Sequence, residues 1–114
     1  MKIPDEIALM SLFECEPEML DKGVPFIYNK ATYKFSNRNN EQFIVSIAPA
    51  YGDIKIQVNI AGTNELLSYL DLENAELIDI ISDKKDESKM MITSKNIIIK
   101  INFKPKYKIS ISQS

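Results

Sequence analysis

The chain of 114 residues contains no histidine, one cysteine, three glycines and one arginine. Without histidine it has no Ser-His or Cys-His nucleophile, no histidine general base and no histidine-ligated metal. The single cysteine, Cys15, allows no internal disulfide and no thiolate zinc or iron–sulfur site within a monomer. We therefore predict a protein that binds rather than catalyses, with no metal and no cofactor.

The few glycines and the single arginine also restrict phosphate chemistry. Gly23, Gly52 and Gly62 are isolated, so they cannot build a glycine-rich phosphate loop. Arg38 is the only arginine, which disfavours a bidentate phosphate clamp. No hydrophobic run approaches the ~18–20 residues of a membrane span, and residues 1–14 lack the basic start of a signal peptide. We expect a cytoplasmic protein with no nucleic-acid partner and no membrane partner.

The composition is that of an ordinary globular protein. The apolar fraction is 45% and the charged fraction is 26%, which is typical of a chain that folds around a core. Domains are commonly about 100–150 residues long. We expect a single domain over residues 1–114.

Helical spacing is confined to the N-terminus. Asp5 and Glu6 suit the positive end of a helix, and Pro4 suits its first turn. The pattern predicts a short helix over residues 4–13, followed by a turn that includes at most one helical turn at residues 18–22. The apolar residues at helical spacing are Ile3, Ile7, Met10 and Phe13.

From residue 27 onward the apolar residues recur with a period of two. Short polar turns separate the alternating stretches, which favours pairing between neighbours in sequence. The pattern predicts a mainly β (α+β) fold, a single antiparallel β-meander sheet or sandwich of about seven or eight strands with a short N-terminal helix. Its clearest buried face is expected on residues 54–60 and 97–111. Strands are predicted near residues 27–35, 43–47, 54–60, 66–72, 76–82, 88–94, 97–103 and 107–111.

The net charge of −2 is unevenly distributed along the chain. Acidic clusters usually mark solvated surface, and they also speed association with a cationic partner. The carboxylates at 14–18 have two further interpretations, an acid/base pair and a divalent cation site. Cys15 lies among these negative charges, which disfavour a reactive thiolate. We define a first acidic group, Glu14, Glu16, Glu18 and Asp21, and a second acidic group, Glu73, Glu76 and Asp79.

Two other clusters have a structural and a functional interpretation. Phe26 and Tyr28, with Tyr33, either pack where a loop meets the sheet or line a small-ligand pocket. The C-terminal lysines are predicted to lie on one strand face, where they protect an outer strand from edge-to-edge pairing. Contact with a phosphate backbone is the less favoured interpretation, because neither arginine nor exposed aromatic residues interleave them. These lysines are Lys100, Lys104, Lys106 and Lys108.

Four stretches of the chain resemble segments of small uncharacterised bacterial proteins: Phe13–Leu20, Gly23–Asn29, Leu72–Leu77 and Phe103–Pro105. In size, acidity and lack of catalytic residues the chain is also similar to immunity proteins of bacterial toxin–immunity systems. This resemblance implies a cognate toxin partner, and it transfers no binding residues.

The function that we predict is neutralisation of a basic toxin, whose active site would be covered by the two acidic groups. The alternatives are a small-ligand or regulatory domain that uses the aromatic segment, and an enzyme that uses the carboxylates at 14–18. Homodimerisation through an edge strand is compatible with each of these functions.

Overall fold

The computed structural model describes residues 1–113, which form one α-helix and nine strands in two antiparallel sheets. The first sheet has five strands in the order β1-β2-β3-β4-β5, and the second has four in the order β6-β7-β8-β9. The mainly β class with an N-terminal helix is confirmed. The elements are α1 (Glu6–Phe13), β1 (Glu18–Met19), β2 (Ala31–Ser36), β3 (Glu41–Ala48), β4 (Asp53–Ile60), β5 (Leu66–Leu72), β6 (Leu77–Lys84), β7 (Glu87–Ser94), β8 (Ile97–Lys104) and β9 (Lys108–Gln113).

The helix begins later than the sequence predicts, because Asp5 caps it. The Asp5 carboxylate accepts a hydrogen bond of 2.8 Å from the Ala8 N–H, which satisfies one of the free donors of the first turn. Pro4 consequently precedes the helix. The side chains that α1 buries are Leu9, Leu12 and Phe13, whereas Ile7 of the predicted stripe is 75% exposed.

The segment between α1 and β2 differs most from the prediction. Residues 18–19 form a short strand paired with β2 rather than a helical turn, and residues 26–28 form a 3₁₀ turn rather than the start of a strand. The buried Asn29 explains this conformation. Its side-chain amide donates to the carbonyl oxygens of Asp21 and Val24, and its side-chain oxygen accepts from the N–H groups of Asp21 and Lys30.

Alternation correctly predicts the central strands of the first sheet. Val45 lies opposite Ile56 and Ile47 opposite Ile54 in the β3–β4 register, and all four side chains are buried. Residues directly opposite each other in an antiparallel pair point to the same face. The intervening positions of both strands therefore form the outer face.

Pairing between sequence neighbours stops once, after β5. The connection at residues 73–76 carries the chain from the first sheet to the second. It is attached to both sheets, because the Ala75 N–H donates to the Gly52 carbonyl of the β3–β4 turn at 2.9 Å and the Glu76 N–H donates to the Thr93 carbonyl of β7 at 2.8 Å. The two sheets can therefore pack their apolar faces against each other.

The centre of the core is an aromatic cluster around Phe13. Its ring centroid lies 4.7 Å from that of Tyr33 and 5.5 Å from that of Phe103. These three side chains come from α1, β2 and β8, so the cluster joins the helix to both sheets. Each buried ring contributes roughly 1.5–3 kcal/mol through removal of apolar surface from water.

The last strand does not follow the predicted burial. Ile109 and Ile111 were expected on the buried face with Ile99 and Ile101, and they do lie opposite these residues in the β8–β9 register. Yet they are 38% and 62% exposed. The reason is that β9 is the terminal strand of its sheet, with a neighbouring strand on one side only.

Candidate protein-binding surfaces

The first acidic group begins where α1 ends. Glu14 adopts the left-handed conformation, with φ 55°, and its N–H donates to the Ser11 carbonyl, which terminates the helix. Its carboxylate lies 2.6 Å from the Lys104 ammonium. Lys104 also donates to the carbonyl oxygens of Lys84 and Lys85. The charge of Glu14 is therefore already matched by a cation of the same chain.

The other members of this group are also exposed. Glu18 lies on β1 and its carboxylate is 3.6 Å from the Lys34 ammonium. The Asp21 carboxylate accepts a hydrogen bond of 3.0 Å from the Gly23 N–H. Glu16 and Asp21 form no ion pair within residues 1–113. They carry the charge of this group that is available to a partner.

Cys15 lies in the middle of the first acidic group and is half-buried. Burial raises the pKa of its thiol, and a hydrogen bond with the Lys34 backbone lowers it by less. The direction agrees with the sequence-based expectation that the thiolate is disfavoured. The main cause is loss of solvent rather than the neighbouring carboxylates.

The second acidic group lies at the crossing between the sheets. Glu73 is exposed in the connection, and Asp79 is exposed on the outer face of β6, opposite Met91 of β7. The Glu76 carboxylate accepts a hydrogen bond of 3.0 Å from the Lys95 N–H. The first group thus lies at the end of α1 and around β1, whereas the second lies on the crossing and on β6.

The aromatic segment does not form one pocket. Tyr33 is fully buried, and burial raises the pKa of its hydroxyl. Phe26 packs against the core, whereas Tyr28 is 68% exposed. Tyr28 lines an open groove of ≈ 430 Å³ with Asp21 and Tyr51, but neither Phe26 nor Tyr33 reaches that groove.

The prediction that the C-terminal lysines share one face is right for two of the four: Lys100 and Lys108 lie on the outer face of the second sheet, where both line one groove. Lys104 turns toward Glu14, and its side chain is only 17% exposed. Lys100 and Lys108 are exposed on the second sheet, and Lys106 precedes β9.

An exposed apolar surface on β5 was not anticipated. Leu66, Leu67 and Tyr69 are 54%, 46% and 53% exposed. A β-bulge lies here, because Val58 is opposite Ser68 and Asn59 is opposite Leu66, which leaves Leu67 as the extra residue. Alternation alone did not show that the outward side would be apolar.

Two further properties of residues 1–113 bear on the candidate sites. No three or more Asp, Glu or Cys side chains among them are arranged to hold a metal ion. None of their helices has the length and apolar character needed to cross a membrane.

Taken together, the described residues define an antiparallel β-sandwich with an N-terminal helix, and its exposed features suit contact with another protein. No protein-family model matches the sequence, and no curated protein matches it. Among solved structures, the chain is similar to a chain of a contact-dependent growth inhibition toxin–immunity protein complex from Klebsiella pneumoniae 342. The TM-score is 0.71 at 23% identity, over 99% of this chain and 96% of the other. This similarity shows a shared fold.

Proposed function

We propose that the chain is a non-catalytic immunity protein that binds and neutralises a cognate toxin. The observation that carries the proposal is the fold shared, over 99% of the chain, with a chain of a toxin–immunity complex. The sequence adds support, because it lacks the histidine and paired cysteines on which most hydrolytic and redox sites depend. The encounter takes place in the cytoplasm of the cell that produces the chain.

The toxin surface that it covers is basic, and the acidic groups contact it. Glu16, Asp21, Glu73 and Asp79 are exposed and have no ion-pair partner within residues 1–113. Glu14 and Glu18 are paired with Lys104 and Lys34, so they contribute less net charge. Complementary charge of this kind raises the association rate and fixes the orientation of the complex.

The first test is protection and binding. The chain is co-expressed with the product of the neighbouring gene, and growth and co-purification are measured. We expect the neighbour to be toxic alone, to be harmless with this chain and to elute with it as a stable complex. A neighbour that is not toxic, or that stays toxic and elutes separately, contradicts the proposal.

The second test addresses the acidic groups. Glu16→Lys with Asp21→Lys, and Glu73→Lys with Asp79→Lys, are compared with Asp86→Lys, which reverses an exposed charge at the tip of the β6–β7 hairpin. We expect slower association and a weaker salt dependence for both double variants, and an association rate close to that of the wild type for the Asp86→Lys control. Equal association rates for all variants would remove the acidic groups from the interface.

A further inference from the structure

The strand β5 is a free sheet edge whose only protective features are a β-bulge at Leu67 and one charged residue, Asp71. It is seven residues long and terminates the five-stranded sheet, so every second N–H and C=O points away from the sheet. Natural edge strands are typically short, or carry lysine or proline, because an open edge pairs with other chains. Leu66–Leu72 contains neither residue, and it exposes Leu66, Leu67 and Tyr69 instead.

The other sheet edges are protected. The edge next to β2 is occupied by the two-residue β1. The edge at β6 is partly covered by the N-terminus, where the Lys2 N–H donates to the Glu76 carbonyl and the Lys2 carbonyl accepts from the Ile78 N–H. The edge at β9 begins with Lys108. Among the described strands, β5 is the long edge that has neither a lysine nor a covering segment.

The space beside β5 also borders an uncovered part of the core face. The Ser68 hydroxyl of β5 lies 2.8 Å from the hydroxyl of Tyr107, the residue that precedes β9. The β5 and β9 edges therefore lie on the same side of the sandwich. Ile109 and Ile111 point to the core face there and remain exposed, because the first sheet ends at β5. One additional strand beside β5 would cover them.

The charge along β5 indicates the chemistry of that strand. Glu65, Asp71 and Glu73 lie along or beside it, and none forms an ion pair within residues 1–113. Lys55 is opposite Asp71 on β4, but their charged atoms are more than 4.0 Å apart. An incoming segment with basic side chains would complement these carboxylates.

The same charges disfavour two of the central registers in which a second copy of this chain could pair with the edge. If two β5 strands pair antiparallel about an axis at Ser68, Asp71 faces Glu65 of the second copy. If the axis is at Tyr69, Glu73 faces Glu65. Like charges directly opposite each other destabilise an antiparallel pair.

We propose that an extended segment of the toxin adds to β5 as a sixth strand of the first sheet, with apolar side chains against Ile109 and Ile111 and basic side chains beside Glu65, Asp71 and Glu73. The inference rests on the proposed function, because it takes the toxin as the partner. It adds a main-chain mode of recognition on a surface distinct from most of the acidic groups.

The test compares two outer-face substitutions with a matched control. Leu67→Lys with Tyr69→Lys places basic charge on the edge without entering the core, and Ile7→Lys is the control, because Ile7 is an apolar residue of α1 that is 75% exposed and lies in neither proposed surface. The probe is the purified product of the neighbouring gene. We expect the Kd to rise roughly 30-fold for the double variant, as on loss of an interface hot spot, and by less than about twofold for the control.

Hydrogen exchange on the wild-type chain gives a second measurement that needs no variant. We expect the amides of Leu66–Leu72 to become protected when the probe is bound. Wild-type binding with neither protection of β5 nor a difference between the variants would overturn this inference and leave the proposed function intact. A wild-type chain that does not bind the probe overturns both. Concentration-dependent self-association that Leu67→Lys abolishes would assign the edge to a second copy, and would also overturn the inference.

Discussion

The Glu41 carboxylate accepts a hydrogen bond of 2.8 Å from the Tyr107 N–H, which ties the first residue of β3 to the segment that enters β9. The same oxygen accepts from the side-chain amides of Asn37 and Asn39. Asn37 in turn donates to the Phe103 carbonyl at 2.8 Å. This buried carboxylate therefore organises a contact between the two sheets.

Replacement of Glu41 by Gln tests that contact through its pH dependence. Burial alone would raise the pKa of Glu41, but the hydrogen bonds from Tyr107, Asn37 and Asn39, with the charge of Lys106, lower it below its ordinary value. A carboxyl with a lower pKa in the folded state stabilises the fold above its unfolded pKa of about 4.3. That contribution is lost as the pH falls through the folded pKa.

We expect Glu41→Gln to lower the free energy of unfolding by about 1–2 kcal/mol near pH 7. The difference from wild type should shrink below about pH 4, where the carboxyl of the wild type becomes protonated. Urea denaturation at several pH values measures it. A difference that is independent of pH would show that the charge of Glu41 has no part in the contact.

Gly52→Ala tests the junction between the β3–β4 turn and the sheet crossing. Gly52 has φ +68°, and a Cβ atom there would lie 2.8 Å from the Ala75 carbonyl oxygen and 2.9 Å from the Ala75 nitrogen. We expect a loss of roughly 2–4 kcal/mol, from left-handed strain together with overlap against backbone atoms. Gly62→Ala is the control, because Gly62 has φ +79° but nothing within 4 Å of a Cβ. Equal losses of stability for both variants would show that overlap with the Ala75 backbone does not contribute.

Asn29→Ala tests what holds the loop behind the first acidic group. The side chain makes four hydrogen bonds to the backbone of Asp21, Val24 and Lys30. Their removal leaves buried backbone groups without partners, so we expect a loss of about 1–3 kcal/mol. Amide exchange should quicken over residues 20–30. Asn64→Ala, at an exposed turn position, is the control, and unchanged exchange in Asn29→Ala would contradict the assignment.

Lys104→Met tests the link between the end of α1 and the β6–β7 hairpin. It removes the ion pair with Glu14 and the bonds to the carbonyl oxygens of Lys84 and Lys85. We expect the free energy of unfolding to fall by about 1–2 kcal/mol. The part from the ion pair should decrease with added salt, because Glu14 is exposed, whereas the part from the two hydrogen bonds to carbonyl oxygens should not. A double-mutant cycle with Glu14→Gln separates the two parts. Lys100→Met, at an exposed position of β8, is the control and should leave the free energy of unfolding almost unchanged.

Local patterns in the sequence predict a large part of this fold. The alternation of Ile54, Ile56 and Val58 is sufficient to place β4 and its buried face, because burial on one side of a strand has a period of two. Asp5 can likewise be recognised from the sequence as the N-cap of a helix. Residues 18–30 are not predictable in this way, because their conformation depends on the buried Asn29 side chain and on pairing with β2.

The limits of prediction for the binding surfaces have the same origin. The sequence shows that Glu14, Glu16, Glu18 and Asp21 cluster, but it does not show that Lys104, 90 positions away, neutralises Glu14. Alternation also tells which way Ile109 and Ile111 point without telling whether the opposite sheet reaches them. Both properties are set by contacts between distant parts of the chain.

The single crossing between the sheets has a consequence for biosynthesis. Every strand of the first sheet precedes residue 73, and every strand of the second follows it. The ribosome therefore completes one sheet while the other is still absent, and roughly 2–6 s pass before residues 73–104 are added at 5–20 residues per second. Before the second sheet has emerged, the apolar inner face of the first sheet has only α1 among the described elements to cover it, so chaperones should bind chains that still lack the second sheet.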